Sequence, residues 1–154
     1  MNLDLLRAGD VDVAFVQGGV ASDADRASIE SLGSLFYEPL WVFLRTGVEA
    51  ERLTDLAGRR VGVGPEGSGT LEVARRLLDR NGWSGSFRSS SVEESVDALL
   101  AGRLDAAFLI AGAGSPLVER LLRDEGVKPF SFRRAEAYTR TDRFLAHVTL
   151  PEGM

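Results

Sequence analysis

Apolar residues in this chain come either as short unbroken runs or at helical spacing, and the two kinds alternate along most of its length. The runs at 11–17 (VDVAFVQ), 59–63 (RRVGV) and 104–110 (LDAAFLI) predict buried strands, and 40–44 (LWVFL) predicts another, with Pro39 tolerated at its first position and not inside it. Residues 127–132 read as a further strand, and 85–89 and 146–150 as weaker ones. Helical spacing covers 2–8 through Leu3, Leu5 and Leu6, stopped by Gly9. From Thr70, the positions Leu71, Ala74, Leu77 and Leu78 share one face, opposite Arg75, Arg76 and Asp79, until Asn81 and Gly82 end the helix. Ser91 and Glu94 form a capping box for a helix through Val96, Leu99 and Leu100 to Gly102. Ser115 as N-cap and Pro116 behind it open a helix through Val118, Leu121 and Leu122 that Gly126 ends. Residues 22–31 are a polar loop or surface helix, 46–54 a polar connection, and 133–154 polar apart from the weak strand.

From residue 59 the order β-α-β-α-β-α-β predicts an α/β fold, a mainly parallel sheet flanked by helices. Such sheets bind ligands beyond the carboxyl ends of their strands, which marks three mouths at 17–20, 64–70 and 111–115. At the second, a glycine-rich turn runs into a helix start, where unpaired amides and the helix dipole attract anions. Backbone N–H groups at Ser68, Gly69 and Thr70, behind Gly67, are therefore candidate ligands of a carboxylate, assisted by the Ser68 and Thr70 hydroxyls. Gln17 and Gly18 are the candidates at the first mouth, and Ala111, Gly112 and Ser115 at the third. Glu38, with Tyr37, precedes the 40–44 strand and is a candidate for lining the same cleft or packing at a hinge. Glu66 repels an anion unless it points away or meets an ammonium group. The glycines are equally compatible with a tight turn that holds nothing.

Composition narrows the function. At 154 residues the chain makes one domain or two small lobes, and 44% apolar with 27% charged content is ordinary for a globular protein. A net charge of −5, with no basic run, argues against nucleic acid. No apolar run approaches the ~20 residues of a membrane span. The absence of cysteine removes disulfides, thiolate catalysis and thiolate metal sites. No other metal-ligand spacing occurs: Asp23, Asp25 and the Glu93–Glu94 pair read as solvated, and the single histidine, His147, as structural. No leader pattern follows Met1, so the chain is expected either to stay in the cytoplasm or to be a piece of something longer.

Residues 8–15 (AGDVDVAF) return as 101–108 (AGRLDAAF), each behind a helix ending in paired leucines. The spacing is too long for a solenoid and suggests two similar helix–strand units, one in each of two lobes. Together with SLFYEPLWVFLR and DLAGRRVGVGPEGSGT, this echo resembles the type II periplasmic-binding-protein fold, and most closely the TAXI-family solute receptors of TRAP transporters. The pattern is carried by Glu38, Pro39, Arg45, Asp55, Leu56, Gly58, Val61, Val63, Gly64, Gly67, Ser68, Gly69 and Thr70, and FLAHVTLPEGM is similar to the family's return to lobe one. The resemblance implies a partial first lobe with crossing strand at 1–46, a complete second lobe at 47–133, a return segment at 134–154, and lobe closure with hinges near Thr46 and Arg133. It implies an extracytoplasmic receptor that captures a small organic anion or amino acid for membrane transporter subunits, with no chemistry, cofactor or metal. Two alternatives stay open. Residues 62–67 (GVGPEG) fit G-x-G-x-x-G, and Arg88 with Ser89, Ser90 and Ser91 would suit a 2′-phosphate, as in an NADP-binding Rossmann-like oxidoreductase; against it, the first glycine lies inside the strand and Pro65 lacks a donor. The other is a cytoplasmic ligand-sensing domain of the same fold. A second copy pairing on an exposed sheet edge is a further expectation.

Overall fold

A computed structural model describes residues 2–150. Two compact units form: Glu38–Arg133, and Met1–Tyr37 with Arg134–Met154. The first of these contains a five-stranded sheet built from β1 (Leu40–Arg45), β2 (Val61–Val63), β3 (Phe87–Ser89), β4 (Ala106–Ile110) and β5 (Val127–Pro129), in the order β3-β2-β4-β1-β5. Strand β2 runs parallel to β3 and β4, whereas β1 runs antiparallel to both β4 and β5. Four strands thus share one direction, as the alternating pattern predicts, and β1 is inserted against them. The connection from β1 to β2 carries no α-helix to cross over the sheet, which suits strands of opposite direction.

Helices α2 (Gly69–Arg80), α3 (Val92–Leu100) and α4 (Pro116–Leu122) each follow a strand and pack on the sheet. Alternate residues of the pleat face opposite sides. Trp41 and Phe43 of β1, with Ala107 and Leu109 of β4, join Val96, Leu99, Val118 and Leu121 in one core. Their neighbours Val42, Leu44, Ala106 and Phe108 are buried as well, so β1 and β4 are covered on both sides. That is why these two strands read as unbroken apolar runs. The polar stretch after β1 is less featureless than its composition suggests: a 3₁₀ turn at Leu53–Leu56 fully buries both leucines.

At the edge where β2 and β4 begin, Asp105 joins three strands. Its carboxylate accepts from Arg60 Nε and Nη2 at 3.0 and 2.8 Å, from the Arg60 amide at 3.0 Å and from Arg45 Nη2 at 2.9 Å. The backbone closes the same knot, with Asp105 N–H donating to Arg60 O and Arg45 N–H to Asp105 O. Chiefly through the Arg60 guanidinium, the Asp105 carboxyl is held well below the usual carboxylate range despite being 6% exposed.

The second unit departs most from the sequence pattern. It contains α1 (Asn2–Ala8), a 3₁₀ turn at Asp23–Ala27 and α5 (Ala135–Thr141), and no strand among its described residues. Neither expected strand forms at 11–17 or 146–150, and Pro151 to Met154 lie outside the described residues. An apolar run becomes a strand only beside a partner that completes its hydrogen bonds. Here Val13 and Phe15 stand 71% and 75% exposed. The helix over Ala135–Thr141 was hidden in a polar stretch because it buries none of its residues. Asp25, read as solvated, is 7% exposed: Arg7 grips it in two bonds of 2.7 and 2.9 Å, and the Ser22 amide and hydroxyl donate to it as well.

The internal echo holds for one turn and then fails. Gly9 and Gly102 both take left-handed φ, of 73° and 69°. The next amide reaches back five residues, Asp10 to Leu5 O at 2.9 Å and Arg103 to Ala98 O at 2.8 Å. Both are Schellman stops. Beyond them, 104–110 yields β4 while 11–17 stays irregular.

Candidate anion site at the strand carboxyl ends

Because α2, α3 and α4 follow parallel strands, all three start at the same edge of the sheet, where β2, β3 and β4 end. Each starts differently. The α3 end carries a capping box and two first-turn carboxylates, Glu93 and Glu94: Ser91 Oγ accepts from the Glu94 amide at 3.1 Å, and the Glu94 carboxylate accepts from the Ser91 amide at 3.2 Å. Helix α4 opens with Pro116, which has no N–H, and the Ser115 hydroxyl makes no capping bond. Helix α2 is the longest, at 12 residues. Its first two amides, Gly69 and Thr70, have no acceptor among the described residues.

The turn into α2 fixes that arrangement. Ser68 is the N-cap, its Oγ accepting from Leu71 N–H at 3.2 Å. Its own amide is spent on Pro65 O at 3.0 Å, which closes the turn, so the expected role of the Ser68 N–H toward an anion is corrected. The Ser68 hydroxyl proton remains available to donate. Thr70 is 7% exposed, and its hydroxyl has no hydrogen-bond partner among the described residues. Gly67 forms the turn before the cap, beside Glu66, and both are exposed. Gly64 is required by closeness rather than by dihedral: a Cβ there would collide with Ser68 Oγ and lie 2.9 Å from Thr70 Cβ.

Serines from the neighbouring strand extend the polar rim. Ser89 Oγ donates to Gly64 O at 3.1 Å, the Ser90 amide to Val63 O at 3.3 Å, and the Ser90 and fully buried Ser95 hydroxyls lie 2.9 Å apart. In the sequence Ser89 and Ser90 entered only as partners of a 2′-phosphate beside Arg88, and Ser95 not at all; the Ser-Ser-Ser run after a weak strand is their one signal. On the other side of β2, the stretch 111–115 leaves β4. Ala111 N–H donates to Pro39 O at 3.3 Å, Ala111 O accepts from Trp41 Nε1 at 3.0 Å, and Ser115 N–H donates to Gly112 O at 3.0 Å. That pairing brings exposed Glu38 to the same edge. Of the sequence candidates, then, Glu38, Gly67, Ser68, Gly69, Thr70, Ala111, Gly112 and Ser115 share one sheet edge. Gln17 and Gly18 belong to the other unit, where Gly18 lies against Phe144.

The chemistry offered is that of neutral dipoles. No lysine or arginine lies within 64–70, 89–91 or 111–115. A single negative group is matched by two open amides, the positive end of α2 and one or two hydroxyl protons. The dinucleotide reading meets an obstacle in Gly62. It lies inside β2, where a Cβ would come 2.6 Å from Leu104 Cδ1 and 3.3 Å from Ser95 Oγ. It therefore serves packing of the strand.

The model of the NMT1-like family matches residues 1–154. The chain belongs to the NMT1-like family. Among solved structures, this NMT1-like chain is similar to an ancestral arginine-binding protein bound to arginine, at 20% identity and a TM-score of 0.60, over 84% of this chain and 58% of that one. A histidine kinase sensor domain with similarity to periplasmic binding proteins gives 20% identity and a TM-score of 0.57, over 92% of this chain and 65% of that one. An amino acid ABC transporter substrate-binding protein from Streptococcus pneumoniae, bound to L-arginine, gives 20% and 0.53, over 83% and 52%. The NMT1-like chain thus has a periplasmic-binding-protein-like fold and spans a little over half the length of these neighbours.

Proposed function

We propose that this chain is part of a solute-binding receptor, and that the start of α2 holds the carboxylate of a small organic acid or amino acid. One observation carries the reading: behind the Ser68 cap, Gly69 and Thr70 present amides with no acceptor among the described residues, and the largely buried Thr70 side chain adds a hydroxyl with no partner there, at the start of the longest of the three helices. The neighbours that bind arginine support a solute-binding role. The resemblance of 38–70 to TAXI receptors extends the reading to an extracytoplasmic protein that hands its ligand to a TRAP-type transporter, without catalysis. Gln17 and Gly18 remain candidate ligands from the sequence pattern.

The test is a thermal-shift and calorimetric screen of the whole chain against amino acids, dicarboxylates and NADP. Thr70→Val keeps the shape of the side chain and removes the hydroxyl. A carboxylate that raises the melting temperature of the parent, and binds Thr70→Val about tenfold more weakly or worse, supports the reading. A response to NADP alone overturns it.

The sensor-domain neighbour, with the largest share of this chain covered among the three, favours a second reading: ligand sensing by the same site. Binding would then be the same, and only the recipient of the signal would differ.

A further inference from the structure

Ser95, on α3, is the one polar residue with no exposed surface among the described residues. Its hydroxyl has a single partner there, the Ser90 hydroxyl 2.9 Å away. We propose that Ser95 donates to Ser90 and so leaves the Ser90 proton to the mouth beyond β3, where it holds a second, neutral oxygen of the ligand. This rests on the reading of the α2 start as a carboxylate site, and it narrows the ligand to a short acid that also carries a hydroxyl or keto oxygen.

Burial decides which of the two oxygens donates. A hydroxyl has one proton and two lone pairs. Sealed from water, Ser95 has only Ser90 Oγ to receive its proton, and a buried donor without an acceptor is costly. A serine inside a helix commonly turns its hydroxyl to the carbonyl four residues back. Here Ser91 O accepts the Ser95 amide at 3.0 Å and no bond from the Ser95 hydroxyl. Ser90 Oγ therefore accepts from Ser95 and keeps its own proton. The acceptor nearest to it within the chain, Ser91 O, is 3.5 Å away, beyond the roughly 2.5–3.0 Å of a well-formed O–H···O bond. Ser90 is half-buried, so that proton is open to a ligand. Packing alone does not call for the Ser95 hydroxyl. Alanine would also let α3 approach β2 at Gly62, where a Cβ would come 3.3 Å from Ser95 Oγ.

The position suits a second group of a ligand bound at α2. The Ser90 amide donates to Val63 O at 3.3 Å, and Ser89 Oγ to Gly64 O at 3.1 Å. Gly64 is the residue against which Ser68 and Thr70 close. The chains at 63–64 and 89–90 thus run one strand spacing apart, about 4.8 Å, a gap that a short acid spans. The charges nearby favour a neutral oxygen. Glu93 and Glu94 lie in the first turn of α3, while Arg88 stands further back, at the middle of β3 opposite Gly62. A second carboxylate beside Ser90 would meet like charge, and a hydroxyl or keto oxygen would not.

Calorimetry of the whole chain with butyrate, the isomeric hydroxybutyrates, α-ketobutyrate and succinate tests the assignment. At least one of the hydroxy or keto acids should bind the parent about three- to tenfold more tightly than butyrate, as one neutral hydrogen bond provides. Ser90→Ala should bring that acid down to the affinity of butyrate. Ser95→Ala should weaken the preference by a smaller factor. The double variant should match Ser90→Ala, because Ser95 acts only through Ser90; losses that add would overturn its positioning role. Should Ser95→Ala fail to fold, Ser90→Ala alone decides. Three results overturn the proposal and leave the carboxylate reading in place: butyrate binding as tightly as its oxygenated relatives, a preference that survives Ser90→Ala, or succinate binding more tightly than any of them. If none of these acids binds but the wider screen finds a carboxylate, the proposal alone falls; if that screen finds none, both fall.

Discussion

Asp105 accepts four hydrogen bonds, from three donor groups of Arg60 and one of Arg45, and so ties the ends of β1, β2 and β4. Replacing it by asparagine keeps the shape but swaps an acceptor pair for one acceptor and one donor, which then faces two guanidinium groups. Charge-assisted bonds of this kind contribute about 1.5–3 kcal/mol each at most, and not additively. We expect Asp105→Asn to lower stability by about 2–3 kcal/mol in urea titration. Its pH dependence has a definite sign. The folded-state carboxyl is depressed, so its contribution is complete above the ordinary carboxylate value of about 4 and is lost progressively as pH falls below it. Between pH 7 and pH 3 the parent should therefore lose stability more steeply than the variant. Parallel curves would show that the Arg60 pair contributes nothing. At the other edge, two hydroxyls that look alike in sequence separate in the same experiment. Ser68 caps α2, so Ser68→Ala should cost about 1 kcal/mol; Thr70 has no partner to lose, and Thr70→Val should stay within about 0.5 kcal/mol of the parent.

At the level of the element, the turn between β2 and α2 depends on Gly64. A methyl group there collides with the Ser68 hydroxyl and crowds Thr70, so Gly64→Ala must displace the cap or the first turn of α2. We expect a loss of about 1–3 kcal/mol and of carboxylate binding together, read by urea midpoint and calorimetry; retained binding at parental affinity would remove the α2 start from the site. This turn was legible in the sequence, because glycine spacing, a serine cap and an amphipathic face are local signals that agree. The capping box at Ser91 and the double-sided burial of β4 were legible for the same reason. What escaped is non-local. The antiparallel insertion of β1 depends on which strands flank it, and nothing within 40–44 encodes that. The run at 11–17 has strand composition but no strand beside it. Residues 53–56 bury two leucines through contacts made far from their own polar neighbourhood. Among the candidate residues, Gly67, Ser68, Gly69, Thr70, Ala111, Gly112 and Ser115 lie at one edge as the topological rule predicts, whereas Gln17 and Gly18, named by the same rule, belong to the other unit; the arrival of Glu38 through antiparallel β1 and the hydrogen-bonding duties of Ser68 and Ser89 required the fold.

At the scale of the molecule, the decisive property is how a ligand charge is neutralised. A full opposite charge acts at a distance. Here the near edge of the sheet offers only amides, hydroxyls and a helix dipole, whose effect is confined to the first turn. Binding should therefore depend sharply on the ligand's own negative charge. A ligand present at about 100 times its dissociation constant should add about 2.7 kcal/mol to the unfolding free energy. Its uncharged primary amide, equal in size, keeps an acceptor for one amide but offers no second anionic oxygen. We expect the amide to bind at least about tenfold more weakly, a difference of about 1.4 kcal/mol, so that its thermal shift at equal concentration roughly halves. In Thr70→Val the carboxylate and the amide should draw closer in affinity, because one of the groups that distinguishes them is gone. Equal binding of acid and amide to the parent would mean that the ligand's charge is met elsewhere, and the start of α2 would revert to a turn that holds nothing.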